Sequence, residues 1–311
     1  MSSNILIIKL GALGDMVQAL GPMEAIRKYH AGDRITLLTT APFAEFAMAS
    51  SLIDEVWTDN RPSFFQFKAW LRLRRFLRRG RFRRVYDLQT SDRTGWYYRL
   101  LGPGVRPEWS GIAPGCSHPH ANPCRNNMHT IDRQREQLGV AGIREVPDPS
   151  LDWVPMKVDI DPGGDLALIV PGGAIHRPRK RWPVERYAGL ARNLVSAGMR
   201  PILVGNIEDS SIIAAVTERV DTAVNLSGRT SLLQLAGLCR RAQLAVGNDT
   251  GPMHMAVTAG VPSVVLYSNE SDPRLCGQRG PVVEFLRCRE LEDLSLNEVT
   301  AAVTALTIRS S

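Results

Sequence analysis

At 311 residues the chain is long enough for two domains of about 150 residues, each burying a core of its own. With 44% hydrophobic and 22% charged residues it reads as an ordinary globular protein. No apolar run reaches the ~20 residues of a membrane-spanning helix, and no signal-peptide pattern precedes the first strand, so a cytoplasmic location is expected. Five cysteines without a CxxC pair argue against a disulfide framework there. The net charge is +7, yet the segment Arg61 to Arg106 alone carries thirteen basic residues against Asp87 and Asp92, or +11, so the rest of the chain sums to −4.

The first element is "NILIIKL", a continuous apolar run of strand length. "GALGD" follows, and then a helical pattern through Met16, Ala19, Leu20, Met23 and Ile26 with Arg27 and Lys28 in its last turn. Asp15 stands where loop becomes helix, and by position alone it serves equally as a helix cap or as a base. The glycines, Gly11 and Gly14, do not form the G-x-G-x-x-G of a dinucleotide fingerprint, which disfavours a nicotinamide cofactor. "RITLLTT" is a second strand, "APFAEFAMAS" a short helix, and "EVWT" and "RVYDLQT" are further strands. Between the last two, "KAWLRLRRFLRRGRFRRVYDL" places Trp70, Leu73, Phe76 and Leu77 at helical spacing among arginines. Nine basic residues in seventeen repel one another unless a polyanion is near, so a phosphate-bearing partner is favoured over a merely solvated face. No nucleic-acid motif accompanies them.

Prolines and glycines break the stretch from Arg106 to about Pro162, with one helix around "HTIDRQREQLGV" and the extended "DPSLDWVPMKVDIDPGGD" as a connection. Cys116, His118, His120, Cys124 and His129 crowd into fourteen residues, but their spacing matches none of the usual zinc patterns, and no metal is expected. A second alternation of strand and helix then runs from "LALIVPGG" to "PSVVLYS". Strands apolar on both faces, alternating with helices, imply parallel sheets covered on each side. The fold expected is α/β, with a Rossmann-like domain over 1–160, another over 161–311, and a last helix free to pack back on the first. Two such domains facing across a cleft would have the GT-B architecture, with ligands bound beyond the carboxyl ends of the strands.

Two stretches of the second half carry chemistry. In "AVGNDTGPMHMAVTAGVP" a strand ends at Asn248-Asp249 and Thr250-Gly251-Pro252 open a helix, whose free N–H groups and positive dipole end suit an anion; His254 stands about one turn on from Gly251. Asp249 as a simple helix cap is the alternative. In "PGGAIHRPRKRWPVERY" a Gly-Gly turn is followed by Arg177, Arg179, Lys180 and Arg181, cations fit to stabilise a departing pyrophosphate.

Taken together, "IIKLGALGDMVQAL", "KRWPVERYAGLA", "NLSGRTSLLQLAGL" and "VGNDTGPMHMAVTAGVPSVVLY" resemble glycosyltransferase family 9, the heptosyltransferases of lipopolysaccharide assembly, over roughly residues 4 to 268. The resemblance implies an inverting, metal-independent enzyme that moves a heptose from ADP-heptose, as substrate rather than cofactor, to a phosphorylated glycolipid of the lipopolysaccharide core. It implies Asp15 as the base and Lys180 as the donor-phosphate contact. Gly14, Glu208 (with Asp209 as an alternative), Asp249, Thr250, Gly251 and His254 would bind the donor. Arg74, Arg75, Arg78 and Arg93 would receive the anionic glycolipid, with peripheral contact at the cytoplasmic face of the inner membrane and no nucleic acid. The segment is richer in arginine than the family's usual basic patch. A same-fold transferase with another donor or acceptor, or a non-catalytic anion-binding module, are the competing readings.

From the position of Lys180 ahead of Trp182-Pro183, Lys180→Ala is expected to slow transfer roughly 100-fold or more, the loss of about 3 kcal/mol of transition-state electrostatics. Transfer within a few-fold of the wild type would shift that role to Arg179 or Arg181.

Overall fold

The computed structural model describes residues 2–63, 65–102, 104, 106–173 and 181–310. Lys180, with Arg177 and Arg179, lies outside the described residues. The chain divides into two compact units, Met1–Pro149 and Ser150–Ser311.

The first unit runs β1 (Asn4–Ile8), α1 (Leu13–Gln18), α2 (Leu20–Tyr29), β2 (Arg34–Thr39), α3 (Ala44–Ala49), β3 (Glu55–Thr58), α4 (Phe67–Arg79), β4 (Phe82–Asp87), α5 (Asp92–Leu100), β5 (Glu108–Gly111), β6 (His118–Pro119) and α6 (Thr130–Val140). Its strands pair in parallel in the order β3-β2-β1-β4-β5-β6. Leu6 and Ile8 of β1 join Leu73 and Leu77 of α4, Tyr97 of α5 and Trp109 of β5 in one buried cluster, which is why the basic helix holds to the sheet by a narrow apolar stripe. The helical pattern after β1 is interrupted at Ala19, which closes α1 and opens α2.

The second unit runs β7 (Leu166–Val170), α7 (Val184–Ser196), β8 (Arg200–Leu203), α8 (Ser210–Thr217), β9 (Val224–Asn225), α9 (Leu232–Arg241), β10 (Leu244–Asn248), α10 (Gly251–Thr258), β11 (Ser263–Tyr267), α11 (Pro273–Cys276), β12 (Val283–Arg287) and α12 (Leu296–Ser310). The parallel sheet has the order β12-β11-β10-β7-β8-β9. Counted from the first strand of each unit, both sheets read 3-2-1-4-5-6, the Rossmann order, so the expected fold class is the one found. Every residue of β7, β10 and β11 is buried, as strands covered on both faces require. Local sequence supplies the stops: Ser231 and Gln234 form a capping box that opens α9, and Gly198, at φ +82°, follows the end of α7.

The boundary falls eleven residues earlier than the sequence places it. Leu151 and Val154 are buried within the second unit, and Gly237 of α9 lies against the Pro155 carbonyl and Val158, so the extended segment is an arm of the second unit and not a free linker. The last helix, which the sequence leaves free to return to the first domain, packs on α7, β11 and β12. Among the described residues no helix is long and apolar enough to cross a membrane.

Gly237→Ala tests the seat of that arm. Alanine favours a helix over glycine by ~1 kcal/mol, but its Cβ would lie 2.8 Å from the Pro155 carbonyl oxygen and overlap Val158. Overpacking of that kind costs about 1–3 kcal/mol, so the melting temperature should fall by several degrees; a rise would mean the arm is not held on α9.

Candidate functional site

In each sheet the order reverses once, between β1 and β4 in the first unit and between β7 and β10 in the second. Loops leaving neighbouring strands diverge there, and the opening at the carboxyl ends is where ligands of such sheets bind. The residues singled out by sequence at 14–15 and 249–254 lie at these two points.

In the first unit the turn after β1 is locked from several sides. The Leu10 N–H donates to Gln89 Oε1 at 2.9 Å, bridging the gap to the loop after β4. The Leu10 carbonyl accepts from Arg61 at 2.5 Å and from the Thr40 hydroxyl at 3.2 Å. Gly11, at φ +105°, faces the Phe43 ring, which any Cβ would overlap. The N-cap of α1 is Ala12, and Asp15 sits three residues on, its Oδ2 accepting the Ala12 N–H at 3.1 Å. Asp15 therefore does cap, from inside the first turn, and it still leaves Oδ1 available. Gly14 is the second residue of α1 and is buried.

A small cavity of about 60 Å³ opens beside Asp15, lined by Lys9, Gln89, Thr90, Arg125 and Arg133 among others. That is room for a few waters or a small anionic group. Lys9 is buried, its Nζ 3.8 Å from Asp15 Oδ1 and 3.3 Å from the Leu88 carbonyl it donates to; burial lowers its pKa. Asp87, at the end of β4, is wholly buried and accepts the N–H groups of Thr90 (2.9 Å) and Gln89 (3.2 Å), while burial raises its pKa to about 6. Arg125 reaches Thr90 Oγ1 at 2.5 Å, and its buried Nε has no partner; burial, then Arg133, lowers its pKa. Three cations converge where the sequence picked out only a carboxylate, because Arg125 and Arg133 come from a segment more than a hundred residues downstream.

The expected acceptor arginines part company. Arg74 Nε donates to the Leu100 carbonyl at 3.1 Å, and Arg93 donates to the Pro62 carbonyl at 3.2 Å while stacking over Trp70. Both hold backbone. Arg75 and Arg78 are exposed on α4. The cysteine and histidine run has scattered roles: His129 Nδ1 accepts the Ile131 N–H at the start of α6, His120 meets Glu136, and Cys116 is buried against the Gly111 carbonyl. Among the described residues no three metal-ligating side chains gather.

In the second unit the fully buried Asn248 ends β10. Its amide donates to the carbonyls of Pro171 (2.9 Å) and Gly172 (3.0 Å), and its Oδ1 accepts the Tyr187 hydroxyl at 2.8 Å and the Trp182 N–H at 3.4 Å. Asp249 is not the cap of α10. Thr250 is, with no side-chain cap, and Asp249 Oδ1 lies 3.0 Å from the Tyr267 hydroxyl, 3.2 Å from Gln278 Nε2 and 4.0 Å from His254 Nε2. Burial and the Asp249 carboxylate raise the Tyr267 pKa, so the phenol stays a donor. Pro252 has no N–H to give and the Met253 N–H turns back to the Thr250 carbonyl at 3.1 Å, so at the start of α10 it is the Gly251 N–H that is left to an approaching anion.

Glu208 and Asp209 separate cleanly. Asp209 is buried, accepting the N–H groups of Gly173 (3.3 Å) and Asn206 (3.1 Å), and Gly172 has no room for a Cβ beside its carboxylate. Glu208 is exposed on the same turn and pairs with no described residue. Arg181 turns back to the Gly173 carbonyl at 2.6 Å, and its neighbour Pro183 caps α7 from outside.

The family model of Glycosyltransferase family 9 (heptosyltransferase) matches residues 70–288, well over half of the chain. Lipopolysaccharide heptosyltransferase 2 of Escherichia coli strain K12 is 38% identical over 104 residues, a match covering 32% of this chain and 30% of that protein's length. A family 9 glycosyl transferase structure from Veillonella parvula superposes with a TM-score of 0.83 at 22% identity, covering 99% of this chain and 97% of the other. The Escherichia coli heptosyltransferase WaaC with ADP-2-deoxy-2-fluoro heptose gives 0.79 at 18% identity, covering 97% and 99%. At those identities the likeness establishes the fold.

Asp87 provides a pH test of the first site. Its pKa is raised from 3.8 to about 6, so between these values the folded protein keeps a proton that the unfolded chain has lost. Its contribution to stability therefore falls as pH rises through that window. Asp87→Asn removes this dependence and still accepts from Thr90, so the melting temperature of the variant minus that of the wild type should increase from pH 4 to 6.5. A flat difference would show that the carboxyl ionises as freely folded as unfolded.

Proposed function

The chain belongs to glycosyltransferase family 9, the heptosyltransferases, and from that membership we propose that it transfers a heptose from ADP-heptose to a phosphorylated glycolipid of the lipopolysaccharide core, with inversion. The observation that carries this reading is the second switch point, where an uncapped helix end at Thr250-Gly251 sits beside a carboxylate oriented by Tyr267 and Gln278. The amides suit the pyrophosphate of a nucleotide sugar, and Gly251 lets a phosphate approach the backbone closely. His254 and Asp249 would take hydroxyls near it, and Glu208 the nucleoside side.

In the first unit Asp15 accepts the proton of the acceptor hydroxyl, whose oxygen attacks the anomeric carbon as the nucleoside diphosphate leaves. Lys180 and the α10 amides stabilise the charge that builds on the leaving group, a task a divalent ion performs in other enzymes. Lys9 keeps the carboxylate of Asp15 oriented through a buried charge, and the Arg125–Arg133 cavity takes an anionic substituent of the acceptor. Arg75 and Arg78 extend this positive field along α4 toward an anionic leaflet, giving peripheral contact with the cytoplasmic face of the membrane.

Asp15→Asn separates base from cap. The asparagine oxygen still accepts the Ala12 N–H, so the melting temperature should hold, whereas transfer should fall ~100-fold or more with nucleotide-sugar affinity little changed. A folded variant transferring at the wild-type rate would return Asp15 to a purely capping role.

A further inference from the structure

Helix α4 and β3, the edge strand of the first sheet, leave a groove between them. Two adjoining cavities of about 550 and 440 Å³ share Trp57, Arg72 and Phe76, and each falls in the roughly 300–1,000 Å³ range of small-ligand pockets. Leu38, Val56, Leu73 and Phe82 complete an apolar floor. Arg72, Arg75 and Arg79 line the rim, exposed, and none of the three has an acidic partner among the described residues. The carboxylates nearby are committed elsewhere: Glu55 pairs with Arg34 at 3.3 Å, and Asp59 is held by the Tyr97 hydroxyl and the Arg61 N–H. On the outward side of the same helix Phe67 and Leu71 are exposed one turn apart, and Phe65, 98% exposed, precedes them.

Apolar side chains in water beside unpaired guanidinium groups describe a helix that lies in the plane of an anionic interface. The groove adds what a diffuse charged face lacks, a place for one molecule. We propose that it seats a single anionic membrane phospholipid, with the phosphate forked by Arg72, Arg75 and Arg79, an acyl chain along Trp57, Phe76 and Leu73, and Phe65 and Phe67 entering the bilayer. Guanidinium groups match phosphate oxygens two at a time, which fixes a headgroup as well as attracting it. A nucleic acid satisfies the charge but leaves the apolar floor bare. The inference deepens the membrane contact proposed above and needs neither Asp15 nor the donor residues.

Native mass spectrometry with dihexanoyl phosphatidylglycerol below its micelle concentration should show one saturable adduct, absent with the phosphatidylcholine analogue. In Arg72→Gln/Arg75→Gln/Arg79→Gln binding should weaken roughly 100-fold, at about fivefold per arginine near an anionic surface. Vesicles of phosphatidylglycerol brominated on the acyl chain should quench tryptophan emission, and Trp57→Phe should remove part of that quenching. Non-saturating adducts, or quenching indifferent to Trp57, would overturn the lipid seat while leaving the diffuse membrane contact in place. Loss of vesicle binding altogether would remove both, and a short single-stranded RNA bound with the same arginine dependence and greater affinity would make the groove a nucleic-acid surface instead.

Discussion

The side-chain amide of Asn248 closes the second sheet at the one place where its strand order reverses. Between β7 and β10 no crossover helix covers the strand ends, and the carbonyls of Pro171 and Gly172 would stand buried without donors. Asn248 supplies both, and with its oxygen it fixes the Tyr187 hydroxyl and the start of α7. An aspartate there would present oxygen to oxygen, and an alanine would leave buried groups unpaired at about 1–3 kcal/mol each. Because this residue is rigid, the one after it, Asp249, leaves the strand in a fixed direction, and Thr250 and Gly251 open α10 at a fixed place. The placement of this helix end is thus a consequence of satisfying the backbone at a topological gap.

The first sheet meets the same gap with a different group. Gln89 reaches across from the β4 loop to the Leu10 N–H, and buried Lys9 reaches the Leu88 carbonyl, so an amide and an ammonium share the work that Asn248 does alone. The ammonium has a further effect. A buried charge needs counter-charge, and Asp87 and Asp15 provide it, one wholly buried and one half exposed. Arg125 and Arg133 then leave the pocket with more positive than negative groups, a balance that suits an anion.

Much of this was legible in the sequence, for identifiable reasons. Strands buried on both faces announce themselves as apolar runs, and "LALIVPGG", "QLAVGND" and "PSVVLYS" could be little else. The amphipathic stripe of α4 was visible because Leu73 and Leu77 recur among arginines. Three strands were not: β5 and β6, of four and two residues, lie in the stretch that prolines and glycines break, and β12 alternates at an edge. The break at Ala19 was hidden because apolar spacing runs on through it. Single polar residues such as Gln89, Asn248 and Gln278 carry no local pattern, since their partners here lie 11 to 79 residues away. The same is true of Arg125, whose neighbour in space, Thr90, belongs to another strand end. What does not repeat locally and pairs at long range is read only from the fold.

The two units also meet negative charge by different means, and the difference follows from what each is asked to hold. In the second unit the groups proposed to meet it are the backbone N–H groups of Thr250 and Gly251 at a helix end, which are fixed in place and cost little to keep ordered. In the first unit they are guanidinium and ammonium groups on long side chains, of which Arg74 and Arg93 are spent on holding backbone while Arg72, Arg75, Arg78 and Arg79 stand in solvent. Rigid amides suit one fixed phosphate geometry. Long exposed side chains tolerate a partner whose charges vary in position, and their cost is rotamer entropy, ~2 kcal/mol for each arginine immobilised. An arginine-rich α4 on a unit whose inner cavity is already cationic is therefore better matched to a heterogeneous anionic surface than to a single small ligand, except where the apolar groove beside Arg72 narrows the choice to one amphiphile.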